Sequence, residues 1–327
     1  MNFLLPLLLL WAPSAQSATT AENPHCFATK AAFDIGSGAT KLKVAIVNTC
    51  QKTIHKVLWE SQKAVAYRAS LSSQNSIPEN LIQKGLEALS ELKKQAKSYG
   101  ATNFKGVATS AFRRAENGKK IIDYFNKILK INIRIISQDE EAELGYSGAM
   151  LQVKKPLILW DIGGGSMQML YKSKNEKLSY KSKLASISFR DYLISEVQRK
   201  SLRTFDSPNP VNETELDKAL NFLNKRIPQE LDGKLQARLK GGEVFGIGGV
   251  HRHAVAGLVG SDSWNTKTLK SSLEKILKKT DSQLGGGEFV STKVSNAILV
   301  LGMMEATGIS QVKSLNVNLT DGILVKK

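Results

Sequence analysis

Two short segments of the sequence carry groups that could do chemistry. Phe33-Asp-Ile-Gly-Ser-Gly-Ala-Thr40 and Trp160-Asp-Ile-Gly-Gly-Gly-Ser-Met167 align without a gap, 127 residues apart (160 less 33), each where one apolar run ends and another begins. In each copy an aspartate, Asp34 or Asp161, closes a strand, where its carboxylate can hold a hydrated cation. The glycines that follow, Gly36 and Gly38 in one and Gly163, Gly164 and Gly165 in the other, let backbone amides approach phosphate oxygens without a Cβ in the way. A lone Asp-x-Gly is usually only a turn. Its repetition in a basic chain predicts two duplicated lobes whose loops face each other and clamp a polyphosphate. A third glycine turn, Val244-Phe-Gly-Ile-Gly-Gly-Val250, precedes a helical stretch, so Gly248 and Gly249 could meet an anion at a helix start. His251 and His253 follow at a spacing that does not share a helix face, and read as structural or as polar groups near the cleft.

The elements that must position these loops alternate between strand and helix, the pattern of an α/β protein. Residues 30–35 and 41–47 read as strands around the first loop. A helix opens at Ser76 and Pro78, with Ile82, Leu86, Leu89 and Leu92 on one face, and Gly100 closes it. A strand is expected at 104–109, a helix over 121–129, a half-buried strand over 131–136, a helix over 139–150 and a buried strand at 157–160. Asn212 with Glu215 predicts a capping box before one long polar helix reaching Arg238, and 294–306 reads as amphipathic. By spacing alone, Glu140, Glu141 and Glu143 are the solvated face of a helix.

The first 17 residues, apolar from Phe3 to Trp11 and ending Ala15-Gln-Ser17, read as an export signal that is removed. No later segment is long and uncharged enough for a stable membrane anchor. An exported chain meets an oxidising compartment, and its two cysteines, Cys26 and Cys50, are expected to pair. A ladder centred on Gly38 joins positions that sum to 76, as 26 and 50 do. With 46 basic against 29 acidic residues, a net charge of +17, the chain favours polyanionic partners. No Walker loop, Cys/His cluster or Ser-His-Asp signature is visible.

The order Asp34-Ile-Gly-Ser-Gly, Ala108-Thr-Ser-Ala-Phe-Arg-Arg-Ala-Glu-Asn117, Ile136-Ser-Gln-Asp-Glu-Glu-Ala142, Asp161-Ile-Gly-Gly-Gly-Ser166, and Leu319-Thr-Asp-Gly-Ile-Leu324 resembles the exopolyphosphatase and guanosine pentaphosphate phosphatase (Ppx/GppA) family in its short, two-domain form. The last of these is similar to the family's closing strand and turn. The resemblance implies the sugar kinase, Hsp70 and actin superfamily, with two duplicated ribonuclease H-like lobes and an interdomain cleft. It assigns the first lobe to 18–137, the second to 138–310, and 311–327 to packing back on the first.

The resemblance also implies roles. Glu141 would be the general base that activates water, Arg113 the arginine that grips phosphate, and Asp34 and Asp161 the Mg²⁺ holders. Ser37, Ser110, Thr109, Ser166 and the glycines would line the phosphates. Where the family has Asn-Ser, this chain has Gly38-Ala39, so Thr40 or Lys41 would replace those contacts. Arg190 stands where the family has glycine, either adding an anion contact or marking a loop of changed shape. Gln168 replaces the usual glutamate, as in the related apyrase-like enzymes, and would orient water unless it faces away from the cleft. The resulting expectation is an exported, Mg²⁺-dependent phosphohydrolase acting on inorganic polyphosphate. A secreted nucleoside tri- or diphosphatase, or a non-catalytic polyanion binder, is the alternative. No nucleic-acid partner is expected, and a homodimer is left open.

Overall fold

The computed structural model describes residues 24–68 and 75–326; the expected export signal at 1–17 lies outside them. Eleven strands are described: β1 (Phe27–Ile35), β2 (Ala39–Asn48), β3 (Thr53–Ala64), β4 (Asn103–Ala108), β5 (Asn132–Ile135), β6 (Ile158–Ile162), β7 (Met167–Lys172), β8 (Lys177–Ser182), β9 (Glu243–Ile247), β10 (Ser263–Trp264) and β11 (Gln311–Ser314). The helices are α1 (Glu79–Ser98), α2 (Ser110–Arg114), α3 (Gly118–Leu129), α4 (Gln138–Ala149), α5 (Ser186–Tyr192), α6 (Glu213–Glu230), α7 (Gly233–Leu239), α8 (Ala256–Val259), α9 (Thr266–Glu274), α10 (Lys293–Thr307) and α11 (Leu319–Val325).

The duplication extends to whole sheets. One has the order β3-β2-β1-β4-β5; the other, β8-β7-β6-β9-β11, repeats it and adds β10 at its edge. In both, the first three strands are antiparallel and the last two join in parallel. The hairpins have the same register: Asp34 faces Lys41 and Ile35 faces Thr40, as Asp161 faces Gln168 and Ile162 faces Met167. Alternation along each strand sends Phe33 and Ile35 into a core with Leu89 and Phe125, and Trp160 and Ile162 into one with Leu223 and Ile298. Both aspartates therefore point the other way, into the layer between the sheets where α4 and α11 lie. There Leu144 of α4 packs with Ala32 and Val47 of one sheet, and Ala142 and Tyr146 with Leu159 and Phe245 of the other. Gly322 of α11 touches the Leu144 carbonyl so closely that a Cβ would collide with it.

Several expectations shift. The first hairpin pairs residues that sum to 75 rather than 76, so Cys26 opposes Thr49, whose N–H donates to the Cys26 carbonyl (2.7 Å), and the bridge to Cys50 closes just beyond the ladder, with 5.4 Å between Cα atoms. The 212–238 helix breaks at Leu231, where Asp232 accepts hydrogen bonds from Lys234 N–H (2.9 Å) and Leu235 N–H (3.3 Å) and starts a new helix. Helix α10 is buried nearly all round, because α6, α9 and α5 cover it on several sides. Strand β11, expected on the first lobe, completes the second sheet, and only α11 returns to β1 and β2. Residues 319–325 form this helix, not a strand, because Asn318 and Asp321 make a capping box. Buried Lys43 then fastens it to β2 through Asp321 (2.7 and 2.8 Å).

Candidate active site

Three carboxylates from distant segments meet on one cavity of about 710 Å³ between the sheets: Asp34 at the end of β1, Asp161 at the end of β6 and Glu141 in the first turn of α4. The same cavity is lined by Gly36, Ser37, Gly38, Lys41, Ser110, Gly163 to Ser166, Gly248 and Gly249. The loops close with the same turn, Gly36 N–H to Ala39 O and Gly163 N–H to Ser166 O, both 2.9 Å. They also touch: a Cβ on Gly164 would lie 3.1 Å from the Ser37 Cβ, and Ser110 Oγ donates across to Gly165 O (2.9 Å). Gly248, at φ +80°, comes so near that a Cβ there would sit 3.0 Å from Asp161 Oδ1.

Helix α4 starts at Ser137, whose hydroxyl accepts from Glu140 N–H (3.1 Å). The helical turn then sorts its acids. Glu143 pairs with Lys172 and Lys177, and Glu140 with Arg134 and Lys326, as a solvated face requires. Glu141 turns inward and is 3% exposed, so spacing alone misassigns it. Its Oε2 accepts from Arg113 Nη1 (2.8 Å) and its Oε1 from Ser166 Oγ (3.4 Å). Burial raises its pKa, Arg113 opposes the rise and Asp34 adds to it. Burial likewise raises Asp34, against the pull of Lys41, whose Nζ is 3.7 Å away. Asp161 is pushed up to about 7 by burial and then by the Glu141 charge.

Three expected site residues do not line the cavity. Thr40 sits directly across from Ile35, and opposed residues of an antiparallel pair share a face; its side chain is fully buried on the core side, beside Tyr67. Lys41, one residue on, takes the cavity face instead. Arg113 is engaged with Glu141, the Ile136 carbonyl (2.9 Å) and Ser166 Oγ (3.3 Å), which makes it a holder of the carboxylate. Gln168 shares the face of Asp161 by the same register rule and does not turn away from the site. Its Nε2 donates to Asp161 Oδ2 (2.8 Å), and its Oε1 accepts from Gln138 Nε2 (3.3 Å), a residue of the 136–142 motif for which no role was expected. Thr109 Oγ1 bonds to Ile35 O (3.4 Å) at the cavity wall. Of the histidines, His253 lines the cavity, while His251 is buried against Trp160, its pKa lowered by burial to about 3.

The acids suit a hard divalent cation. They supply only oxygen donors, and their burial together leaves negative charge for which Lys41 is a partial counterion. Among the described residues no group of three or more His, Cys, Asp or Glu side chains is drawn together closely enough to hold a metal ion by itself.

A duplicated pair of sheets of the same strand order is the two-lobed actin-like fold, and solved structures share it. Residues 45–188 match the model of the Ppx/GppA phosphatase family, the one that the motifs resemble. Curated relatives from two strains of Aliivibrio fischeri, guanosine-5'-triphosphate,3'-diphosphate pyrophosphatases, are 28% identical over 143 residues, which is 43% of this chain and 28% of theirs. The chain thus aligns with less than a third of those proteins. Among solved structures, an Aquifex aeolicus Ppx/GppA family member superposes with a TM-score of 0.70 at 16% identity, covering 91% of this chain and 97% of that one. An exopolyphosphatase from Cytophaga hutchinsonii gives 0.71 at 16%, with 90% and 96% covered. An exopolyphosphatase-like protein gives 0.74 at 17%, with 92% and 97% covered. At these identities the likeness is one of fold.

Proposed function

We propose that this protein is an exported phosphohydrolase that releases the terminal phosphate of inorganic polyphosphate. The observation that carries the reading is the convergence of Asp34, Glu141 and Asp161 with both glycine loops on one cavity. In this reading Glu141, its carboxylate held by Arg113 and Ser166, accepts a proton from the attacking water. The loop amides and Lys41 steady the phosphoryl oxygens. Asp34 and Asp161 would hold Mg²⁺, which when bound offsets charge on those oxygens. Gln168 acts through Asp161 by fixing its carboxylate. Export is supported by the apolar leader and by the Cys26–Cys50 bridge, a feature of oxidising compartments; N-terminal sequencing of the mature protein checks it, with residue 18 expected first.

A nucleoside polyphosphate is the second reading, favoured by two groups away from the loops. Phe289 is 49% exposed on the cavity lining, where a base could stack, and Asn296 lines the same cavity with a buried Oδ1 that has no partner among the described residues. A phosphate-release panel with Mg²⁺, comparing long and short polyphosphates with nucleoside tri- and diphosphates, separates the two. Glu141→Gln is expected to cut release by about 10³-fold with the fold retained in circular dichroism. Binding of polyphosphate without release from any phosphoanhydride would overturn the enzyme reading in favour of a polyanion binder.

A further inference from the structure

Beside the loops, Arg68 has two further arginines and one acid as its charged neighbours. Arg68 follows β3, Arg114 ends α2 and Arg190 lies in α5. Asp191 is the one carboxylate among the charged groups that act on Arg68, and its Oδ1 already accepts both Nε (3.0 Å) and Nη2 (2.7 Å) of Arg190. The sequence between Arg68 and Asn75, Ala-Ser-Leu-Ser-Ser-Gln, contains no acid. Burial lowers the Arg68 pKa, and Arg114 and Arg190 lower it further against Asp191. Its Nη1 is buried with no hydrogen-bond partner among the described residues, and so is the Oγ of Ser37, itself 3% exposed. Both atoms converge on one point of the second loop: a Cβ on Gly165 would lie 2.7 Å from Ser37 Oγ, 2.7 Å from Ser110 Oγ and 3.1 Å from Arg68 Nη1. Ser37, Ser110, Gly165 and Arg190 all open onto the cavity.

We infer that Arg68 and Arg190, with Ser37, form an anion subsite that takes a phosphate of the substrate next to the one under attack. A buried guanidinium with a free donor and surplus positive charge around it is costly unless an anion completes it. The subsite explains why the first lobe reaches over to the second loop through Arg68. On this inference Arg190 is an anion contact, and the helix carrying it rests on the second loop through Ser186 N–H to Gly163 O (3.1 Å) and Ile187 N–H to Gly164 O (3.0 Å). A substrate with at least two linked phosphates would use it and orthophosphate would not need it. The inference rests on the proposed phosphohydrolase reading for its substrate, but its test does not depend on turnover.

The test is calorimetric titration of the full chain with inorganic tripolyphosphate and with orthophosphate, in chelator so that nothing is hydrolysed. Arg68→Gln and Arg190→Gln are each expected to weaken tripolyphosphate about tenfold or more, the loss of a charge-assisted hydrogen bond, and orthophosphate far less. Arg68→Lys should recover part of the loss. In turnover, the same variants should raise KM more than they lower kcat. Thermal melts accompany each titration, and if Arg68→Gln does not fold, Arg190→Gln decides. Unchanged tripolyphosphate affinity in a folded variant, or equal loss for both anions, overturns the subsite. Arg68-dependent binding in a protein that hydrolyses nothing would leave the subsite standing and remove the enzyme reading instead.

Discussion

The hairpins β1–β2 and β6–β7 share register, turn hydrogen bond and the direction of their aspartates, yet the residue facing the aspartate differs: Lys41 against Asp34, Gln168 against Asp161. The ammonium opposes the effect of burial on Asp34. The amide gives Asp161 one hydrogen bond and no charge, while burial, and after it the Glu141 charge, pushes the same carboxylate up to about 7 against the opposing pull of Lys41. Duplication has therefore kept the backbone and divided the electrostatics, setting an ammonium across from Asp34 and a neutral amide across from Asp161. Changing the two cross-strand partners should affect the aspartates unequally.

Lys41→Gln, which makes the first hairpin like the second, carries the larger expected effect. An opposite charge at this range lowers a carboxylate by a unit or more, so losing it raises Asp34 and moves the acidic limb of the pH–rate profile to higher pH. Phosphate release should therefore fall on the acidic side of the profile and recover in part as the pH is raised. An unshifted acidic limb would mean that Lys41 does not govern Asp34. Gln168→Ala removes a neutral hydrogen bond worth about 1 kcal/mol, so turnover should fall roughly fivefold while KM moves little. If KM alone changed, Gln168 would be a binding group and not a holder of Asp161.

The unpaired state of Asp161 can also be read from stability. A carboxyl whose pKa is about 7 in the folded chain and near 3.8 unfolded keeps a proton on folding throughout that window. The unfolded state binds fewer protons there, so stability falls as pH rises from about 4 to about 7 and levels off above. Asp161→Asn should flatten part of this decline and, in the absence of divalent cations, melt higher than the native protein at pH 8. Parallel melting curves for the two proteins across pH 5 to 8 would show that the Asp161 charge is not strained.

How much of this could be read beforehand follows from where each signal is encoded. The repeat at 33–40 and 160–167 is local, so the duplicated lobes, the loops and their aspartates were legible. The fate of Thr40 and Gln168 turns on register, which slips by one residue between a ladder summing to 76 and one summing to 75 and reverses every facing direction. Glu141 was legible only through its family resemblance, because its burial depends on both sheets closing over α4. Arg68 and Asn296 carry no motif, and Gln138 stands in one without a role of its own. Their significance is that of partners from other segments, or of the lack of one, and it exists only after the chain has folded. The break at Asp232 escaped a reading that ran one polar helix from Asn212 to Arg238; it shows in the hydrogen bonds that the Asp232 side chain accepts from Lys234 and Leu235 N–H.

The two hairpins differ in one further respect, and it should matter least to catalysis. Cys26 and Cys50 staple the first hairpin at the end of β1 opposite its glycine loop, and the second hairpin has no such bridge. A cross-link closing 24 residues removes chain entropy from the unfolded state worth about 3 kcal/mol in the usual loop model. Its effect should fall on unfolding and not on the loops, since nine paired positions separate it from Gly36. Cys26→Ser with Cys50→Ser is therefore expected to lower the melting temperature by several degrees and to leave kcat and KM for phosphate release within about twofold. A large loss of kcat without a change in melting would show that the staple sets the position of Asp34, and the two hairpins would then differ in how rigidly they hold their aspartates as well as in charge.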